Sequence, residues 1–482
     1  MSDLVRNGPP RVALIGFLAL LPLVSSCTVR MAQPPELPPE ATEPDRWAAG
    51  SMDELPGPVP AGWVAAFGDP QLEAIVAEAL EQNQNLQSAA AQLEAARLSA
   101  VKAGANLYPF IGLSAGAVAV GGFDGEPTSD RSSAAVAASW EIDLWGGIRA
   151  GKAAATADYV SATNEYEFAM LSLAAQTASS WFLAITNKLQ VELSEEAIGL
   201  DQRNLRIAQA RYNAGLVSEL DLHLARSQLA AEEEKLRQNR SNLEQSVRSL
   251  QLLLGRYPDA ELGLADEVAA VPPPIPVGIP AQILERRPDI VAAERQVASA
   301  FHEIQVAQAA RLPSISLTAS ANSAASGLRT ALNLPDPFWN LGASLFAPIF
   351  AGGSLRANVE IASSQQQAAL HGYVQAVLVA FSEVENALAD ETYFLEAVEF
   401  QNVVVKEATD ALRQARVQYD FGLIDFLSVM QIQGALIGDK SRLLSLENQR
   451  LANRINLYLS LGADYDEPGT KIARAGSVTS EE

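Results

Sequence analysis

Four carboxylates sit beside two glycines that lie far apart in the chain. Glu219 and Asp221 follow Gly215, and Asp420 and Asp425 bracket Gly422. Copies of one such carboxylate around a symmetry axis form a ring of like charge, which concentrates cations or sets a constriction. The plainer reading is of solvated charges at helix ends. Asp420 and Asp425 are the preferred gate-region candidates because both flank the second glycine. No catalytic arrangement accompanies them. The sequence holds no G-x-x-x-x-G-K-[ST] phosphate loop, so it carries no recognisable nucleotide motor. Its three histidines are His223, His302 and His371, and the stretch "HEIQV" at His302 lacks the second histidine of a zinc site. Five methionines and a single cysteine argue against a thioether copper site. The expectation is a chain that is not an enzyme and that has neither a metal nor a cofactor.

The glycines belong to a repeat. "ARYNAGLVSELDL" (210–222) is echoed by "ARVQYDFGLIDFLSV" (415–429), with Tyr212 matching Tyr419, Gly215 matching Gly422, Leu216 matching Leu423 and Val217 matching Ile424, all at an offset of 207. Proline is absent between Pro127 and Pro258 and between Pro348 and Pro468. Leu222, Leu229, Leu236, Leu243 and Leu250 follow a heptad, and their partners are Val429, Leu436, Leu443, Arg450 and Leu457. Sustained heptads predict long helices packed as coiled coils. Each glycine then marks the turn of a helical hairpin, because glycine accepts positive φ at little cost. The charges do not repeat: Asp425 has Ser218 as its partner, and Glu219 has Phe426. Which hairpin would line a pore stays open.

Ahead of each helical pair comes a strand pair. Ile111, Leu113, Ala115 and Ala117 alternate with Gly112, Ser114 and Gly116, and Ile315, Leu317, Ala319 and Ala321 alternate with Ser316, Thr318 and Ser320. The return strands alternate likewise around Trp140 and around Leu341. Aromatics gather near the strand ends: Tyr108, Phe110, Phe123, Trp145, Phe338, Trp339 and Phe350. Strands of ~10 residues are long enough to cross a bilayer. Four of them cannot close, since the smallest common transmembrane barrels have ~8 strands. Open edges are not tolerated in lipid, so membrane-spanning strands here require several chains to share a barrel. The predicted domains are a signal peptide at 1–26, a Pro-, Glu- and Ala-rich tether at 27–62, and a first repeat at 63–270 with strands within 108–145. A Pro-rich linker follows at 271–280. A second repeat at 281–467, with strands within 312–350, and a tail at 468–482 complete the chain.

Net charge is −23 over 482 residues, which disfavours a nucleic-acid partner. Arg6 and Arg11 precede the apolar run "VALIGFLALLPLV" (12–24), and small residues in "VSSC" lead to Cys27. This reads as a secretory signal peptide. Its ending is similar to a bacterial lipobox, which implies cleavage before Cys27 and attachment of diacylglycerol and an N-acyl chain there. Thr28, in place of aspartate, favours delivery to the outer membrane. On sequence, no other run is long and apolar enough for a transmembrane helix, which needs ~20 residues.

"GDPQLEAIVAEAL" (68–80), "WEIDLWGGIRA" (140–150), "RRPDIVAAERQVASA" (286–300) and the 210–222 stretch together resemble signature segments of TolC-like outer membrane efflux proteins, over about Trp63 to Leu461. The lipobox resembles that of the lipoprotein branch associated with resistance-nodulation-division pumps. The resemblance implies a mixed α and β homotrimer. Four strands from each chain would form one 12-stranded transmembrane β-barrel, continued by a long periplasmic α-helical barrel with an equatorial domain. It also implies that Gly215, Leu216, Val217, Gly422, Leu423 and Ile424 form hairpin tips that contact a periplasmic adaptor, or else pack within their own hairpins. The implied function is the exit duct of a tripartite efflux pump, passively conducting small molecules from an adaptor and an inner-membrane pump. An exit duct for type I protein secretion is the alternative, and a structural coiled-coil lipoprotein is a third reading.

Overall fold

The computed structural model describes residues 47–49, 61–121, 127–276, 280–325, 332 and 337–464. The signal peptide, Cys27, Phe123 and the tail at 468–482 lie outside the described residues.

The repeat is written in the element lengths. Helix α1 spans Pro70–Gln82 and α2 spans Gln84–Ala105. Strands β1 (Phe110–Gly121) and β2 (Pro127–Ile142) follow, then α3 (Gly147–Asn213) and α4 (Glu219–Leu253). The second half runs α5 (Pro280–Arg286), α6 (Pro288–Ala309), β3 (Ser314–Ala325), β4 (Phe338–Phe346), α7 (Ser354–Asp420) and α8 (Phe426–Ser460). Helices α3 and α7 each have 67 residues, and α4 and α8 each have 35. At 1.5 Å per residue a 67-residue helix is ~100 Å long. The heptad leucines of α4 are all buried or half-buried.

The chain divides into two compact units, one holding residues 104–151 and 300–366, the other 37–103, 152–299 and 367–482 among its segments. The first contains an antiparallel sheet of four strands in the order β1-β2-β3-β4, so β1 and β4 are its edges. Register sorts the side chains onto two faces. Leu113, Val136 and Ala321 share one face, as do Trp140 with Leu317 and Ala343. Ser114, Ala135 and Asn322 share the other, as do Ser139, Thr318 and Gly342. One face is apolar, and Ile111, Leu113, Trp339 and Leu341 on it are exposed. The other carries hydroxyls, amides and glycines along its middle, with Phe110, Phe338 and Phe346 at strand ends. Asp143 fixes the exit from β2 by accepting the Ile148 and Arg149 amides at 3.1 and 3.0 Å, which starts α3. Trp145 Nε1 donates to the Pro313 carbonyl at 2.7 Å and ties that exit to the entrance of β3.

The second unit holds the cores. Trp63 stacks on Tyr458 at 5.7 Å, with Phe67, Trp181, Phe182, Leu250 and Leu451 packed around them. Arg454, 1 % exposed, bonds the carboxylate of Glu391 and the carbonyls of Pro272 and Pro273, which pins the Pro-rich linker. Two expectations change here. The segment read as an extended tether is docked at Trp47, which is buried against Phe381 while Glu385 accepts the amides of Ala48 and Ala49, both at 2.7 Å. A second apolar run also exists: α3 is long enough and has a window of mean hydropathy 1.4, apolar enough to cross a membrane. Just over half of that window (56 %) is buried inside the protein. Leu173, Ala174, Ala178, Trp181 and Ile185 of α3 belong to the core around Trp63, so a core helix meets the same compositional test as a membrane span.

Candidate functional site

The two turns are built the same way. At the end of α3 the Gly215 amide bonds the Tyr212 carbonyl at 2.9 Å and the Leu216 amide bonds that of Arg211 at 2.9 Å. At the end of α7 the Gly422 amide bonds Tyr419 at 3.0 Å and the Leu423 amide bonds Gln418 at 2.9 Å. This paired closure is the Schellman motif, which needs a left-handed residue. Gly215 and Gly422 supply it with φ of 73° and 74°. Leu216 and Leu423 project from the turns, each 73 % exposed. Val217 and Ile424 are half-buried, and Ile424 packs against Leu412, Ala415, Val429 and Leu436. Of the four apolar tip residues, the two leucines are therefore the exposed knobs.

The helices that follow are capped by reversed partners. Ser218 caps α4 in a box with Asp221: its hydroxyl accepts the Asp221 amide at 3.4 Å, and the Asp221 carboxylate accepts the Ser218 amide at 3.0 Å. Asp425 caps α8, accepting the Ser428 amide at 2.8 Å and the Ser428 hydroxyl. The bonds from the Ser428 hydroxyl and amide hold the Asp425 carboxyl below the usual aspartate range. Serine and aspartate have exchanged cap positions between the repeats, satisfying the same orphan amides. Glu219 lies beside His223 at 3.6 Å and is exposed.

Asp420 does something different. Its carboxylate lies 3.6 Å from the guanidinium of Arg211 at the end of α3, so it joins the second hairpin to the first. That guanidinium also sits 4.2 Å over the ring of Tyr419, as a cation over an aromatic face. Tyr419 in turn packs on Phe426 at 5.8 Å. Behind this pair Ala208, Ala225, Phe426 and Met430 bury an apolar layer drawn from both hairpins.

A polar layer comes next along the same helices. Gln433 of α8 donates to Asp201 of α3 at 2.7 Å, and Asn204 donates to Gln433 at 3.0 Å. Arg416 of α7 reaches the same Gln433 oxygen at 3.3 Å. Burial pushes the Asp201 carboxyl up, the charge of Glu232 adds to the rise, and the amide bonds oppose it. One oxygen of Glu232 is itself buried without a partner. Arg211, Tyr419, Asp201 and Gln433 were not singled out in the sequence. Comparison at the 207-residue offset marks three of them: Arg211 aligns with Gln418, Asp201 with Ala408 and Gln433 with Arg226, so charge is confined to one repeat at each pair, as it is where Asp420 aligns with Asn213, whereas Tyr419 repeats Tyr212. Among the described residues no cluster of His, Cys, Asp and Glu could hold a metal ion.

The family model described as "Outer membrane efflux protein" matches residues 75–256 and 279–463. The pyoverdine export outer membrane protein OpmQ of Pseudomonas aeruginosa is 30% identical over 477 residues, covering 94% of this chain and 98% of OpmQ. The probable outer membrane lipoprotein SilC of Salmonella typhimurium is 28% identical over 410 residues, covering 84% of this chain and 88% of SilC. Crystal structures of CusC, reported with the conformational changes accompanying folding and transmembrane channel formation, superpose with a TM-score of 0.77 at 27% identity, covering 90% of this chain and 99% of CusC.

Proposed function

The chain belongs to the outer membrane efflux protein family, and from that premise we propose how it assembles and gates. It is an outer membrane channel of a tripartite efflux pump, with a periplasmic extension. Three copies close one barrel, each giving its four strands. The observation that carries this reading is the two-faced sheet with unpaired edges at β1 and β4. An apolar outer face suits lipid, and a hydroxyl- and amide-bearing inner face suits a wet lumen. Edge strands in lipid require pairing with neighbouring copies.

The hairpin tips are the periplasmic end of the duct. Leu216 and Leu423 offer apolar knobs to a periplasmic adaptor, while Gly215, Val217, Gly422 and Ile424 shape the turns beneath them. The adaptor connects the duct to an inner-membrane resistance-nodulation-division pump, which supplies the energy. Asp420, held by Arg211, is the tie that keeps the resting aperture narrow, and Asp425, Glu219 and Asp221 add negative charge around it. Cys27 carries the lipid anchor, a reading supported by the lipobox residues and by the likeness to a probable lipoprotein. The cargo is small molecules leaving the cell.

The test is to purify the protein from outer membranes in detergent, count chains by light scattering and record from planar bilayers. Three chains per particle and discrete conductance steps are expected, with steps more frequent in Asp420→Ala. Single chains that give no steps, in wild type and variants alike, would overturn the duct and favour a structural lipoprotein.

A further inference from the structure

The charged residues of the sheet all lie in β2: Asp130, Arg131 and Glu141. Register and alternation place Ser114, Ser139, Thr318, Ser320, Asn322 and Asn340 on the polar face. Among the described side chains of all four strands, Glu141 is the one ionisable group. It lies on that polar face, directly across from Ser316, which in turn faces Ser344. The two serine hydroxyls share a hydrogen bond of 2.7 Å, so hydroxyls extend the row in which Glu141 stands. Glu141 is exposed and has no ion pair or hydrogen bond among the described residues. The nearest cation along the chain, Arg149, is committed to Asp143 at 2.9 Å.

Position makes this charge consequential. Glu141 is the penultimate residue of β2, at the end of the sheet from which the chain passes into α3. The other charged residues of β2, Asp130 and Arg131, stand ten or more residues before it, ~33 Å along the strand, so Glu141 acts on passing ions without a strand counter-charge nearby. Resting on the three-chain duct proposed above, we propose that Glu141 is a charge-selecting residue of the conduit. Three copies form a ring of carboxylates inside the barrel at its helix-side mouth. The ring favours cationic solutes over anionic ones, independently of the charges at the hairpin tips. At this end of the sheet the described side chains of the strands offer no other ionisable group, so the charge preference of this mouth rests on the ring.

Ser316 provides the probe, because neighbouring strands are ~4.8 Å apart and the native chain has one cysteine, Cys27. In Ser316→Cys, the new thiolate attacks the sulfur of a methanethiosulfonate, forming a mixed disulfide and releasing methanesulfinate. Matched cationic and anionic reagents are applied to the purified, assembled protein, and the modified peptide is quantified by mass spectrometry. Protein without the added cysteine gives the background. The cationic reagent should react about tenfold faster than the anionic one, the low end of electrostatic steering in a walled cleft. Adding Glu141→Gln should bring the ratio close to one. An unchanged ratio with Glu141→Gln would overturn the selecting role and leave the duct standing. Modification only by a membrane-soluble maleimide would overturn the duct itself, because the polar face would then not be lumenal. If Ser316→Cys fails to assemble, Ser344→Cys carries the same test. Failure of every reagent to modify an assembled cysteine variant would also overturn the proposal.

Discussion

Gly215 and Gly422 take left-handed φ of 73° and 74° and close the same pair of hydrogen bonds, yet the side chains around them have diverged. The first tip has an exposed glutamate, Glu219, where the second has the buried Phe426. The first supplies the cation Arg211, and the second supplies the anion Asp420 and the aromatic surface of Tyr419. Backbone symmetry is kept because a helical hairpin has few ways to reverse. Side-chain symmetry is lost where the hairpins meet, at the ion pair of Arg211 with Asp420. The difference teaches that equivalent turns can carry complementary side chains, with one half of the ion pair on each.

The sharpest way to break the comparison is at the aligned positions 219 and 426. Phe426→Ala empties a buried aromatic site and is expected to cost about 3–5 kcal/mol. Glu219→Ala, on the surface, should stay within about 0.5 kcal/mol. Hydrogen exchange of the tip amides reads both, and equal losses would contradict the assigned asymmetry. Next come the glycines, where the tips should behave alike. Neither glycine has an atom within 4 Å of an added Cβ, so only backbone strain opposes a side chain. Gly215→Ala and Gly422→Ala should each lose about 1–2 kcal/mol of local stability. A loss at one turn alone would break the equivalence.

Asp201 sharpens the comparison by pH. Its carboxyl is pushed up by burial, so its contribution to stability is full below the ordinary aspartate pKa and is lost as pH rises through the folded value. Asp201→Asn should therefore raise the thermal midpoint at neutral pH, and the gain should shrink on acidification. A gain that grows on acidification would contradict the burial of this charge. The smallest effect concerns the caps. The Asp425 carboxyl lies below its usual range, so its cap is complete above the ordinary aspartate pKa and is lost as pH falls through the folded value. Ser218 caps with a hydroxyl that does not titrate. Acid should thus raise exchange at the start of α8 in the wild type, and Asp425→Ser should remove that dependence.

Much of this was legible in the sequence. The glycine pair, the proline-free spans and the alternating strands could be read because each follows a local rule of backbone or periodicity. The bond from Asp425 to Ser428 was legible too, since Asp before a helix three residues ahead of its bonded amide is a cap signature. Reading Asp425 for its charge alone hid that role. The tie between Arg211 and Asp420 crosses 209 positions and rests on packing between hairpins, which no local pattern encodes. The apolar window of α3 shows a further limit, because a core helix and a membrane span share one composition.

The most direct test of the tie is charge exchange recorded in planar bilayers: wild type, Arg211→Asp, Asp420→Arg and the double variant. Each single reversal places like charges together and should raise the frequency of openings well above wild type, while the double variant restores the pair and should return openings toward the wild-type level. Single variants indistinguishable from wild type, or a double variant as open as the sum of its parts, would contradict a gate held between the two tips.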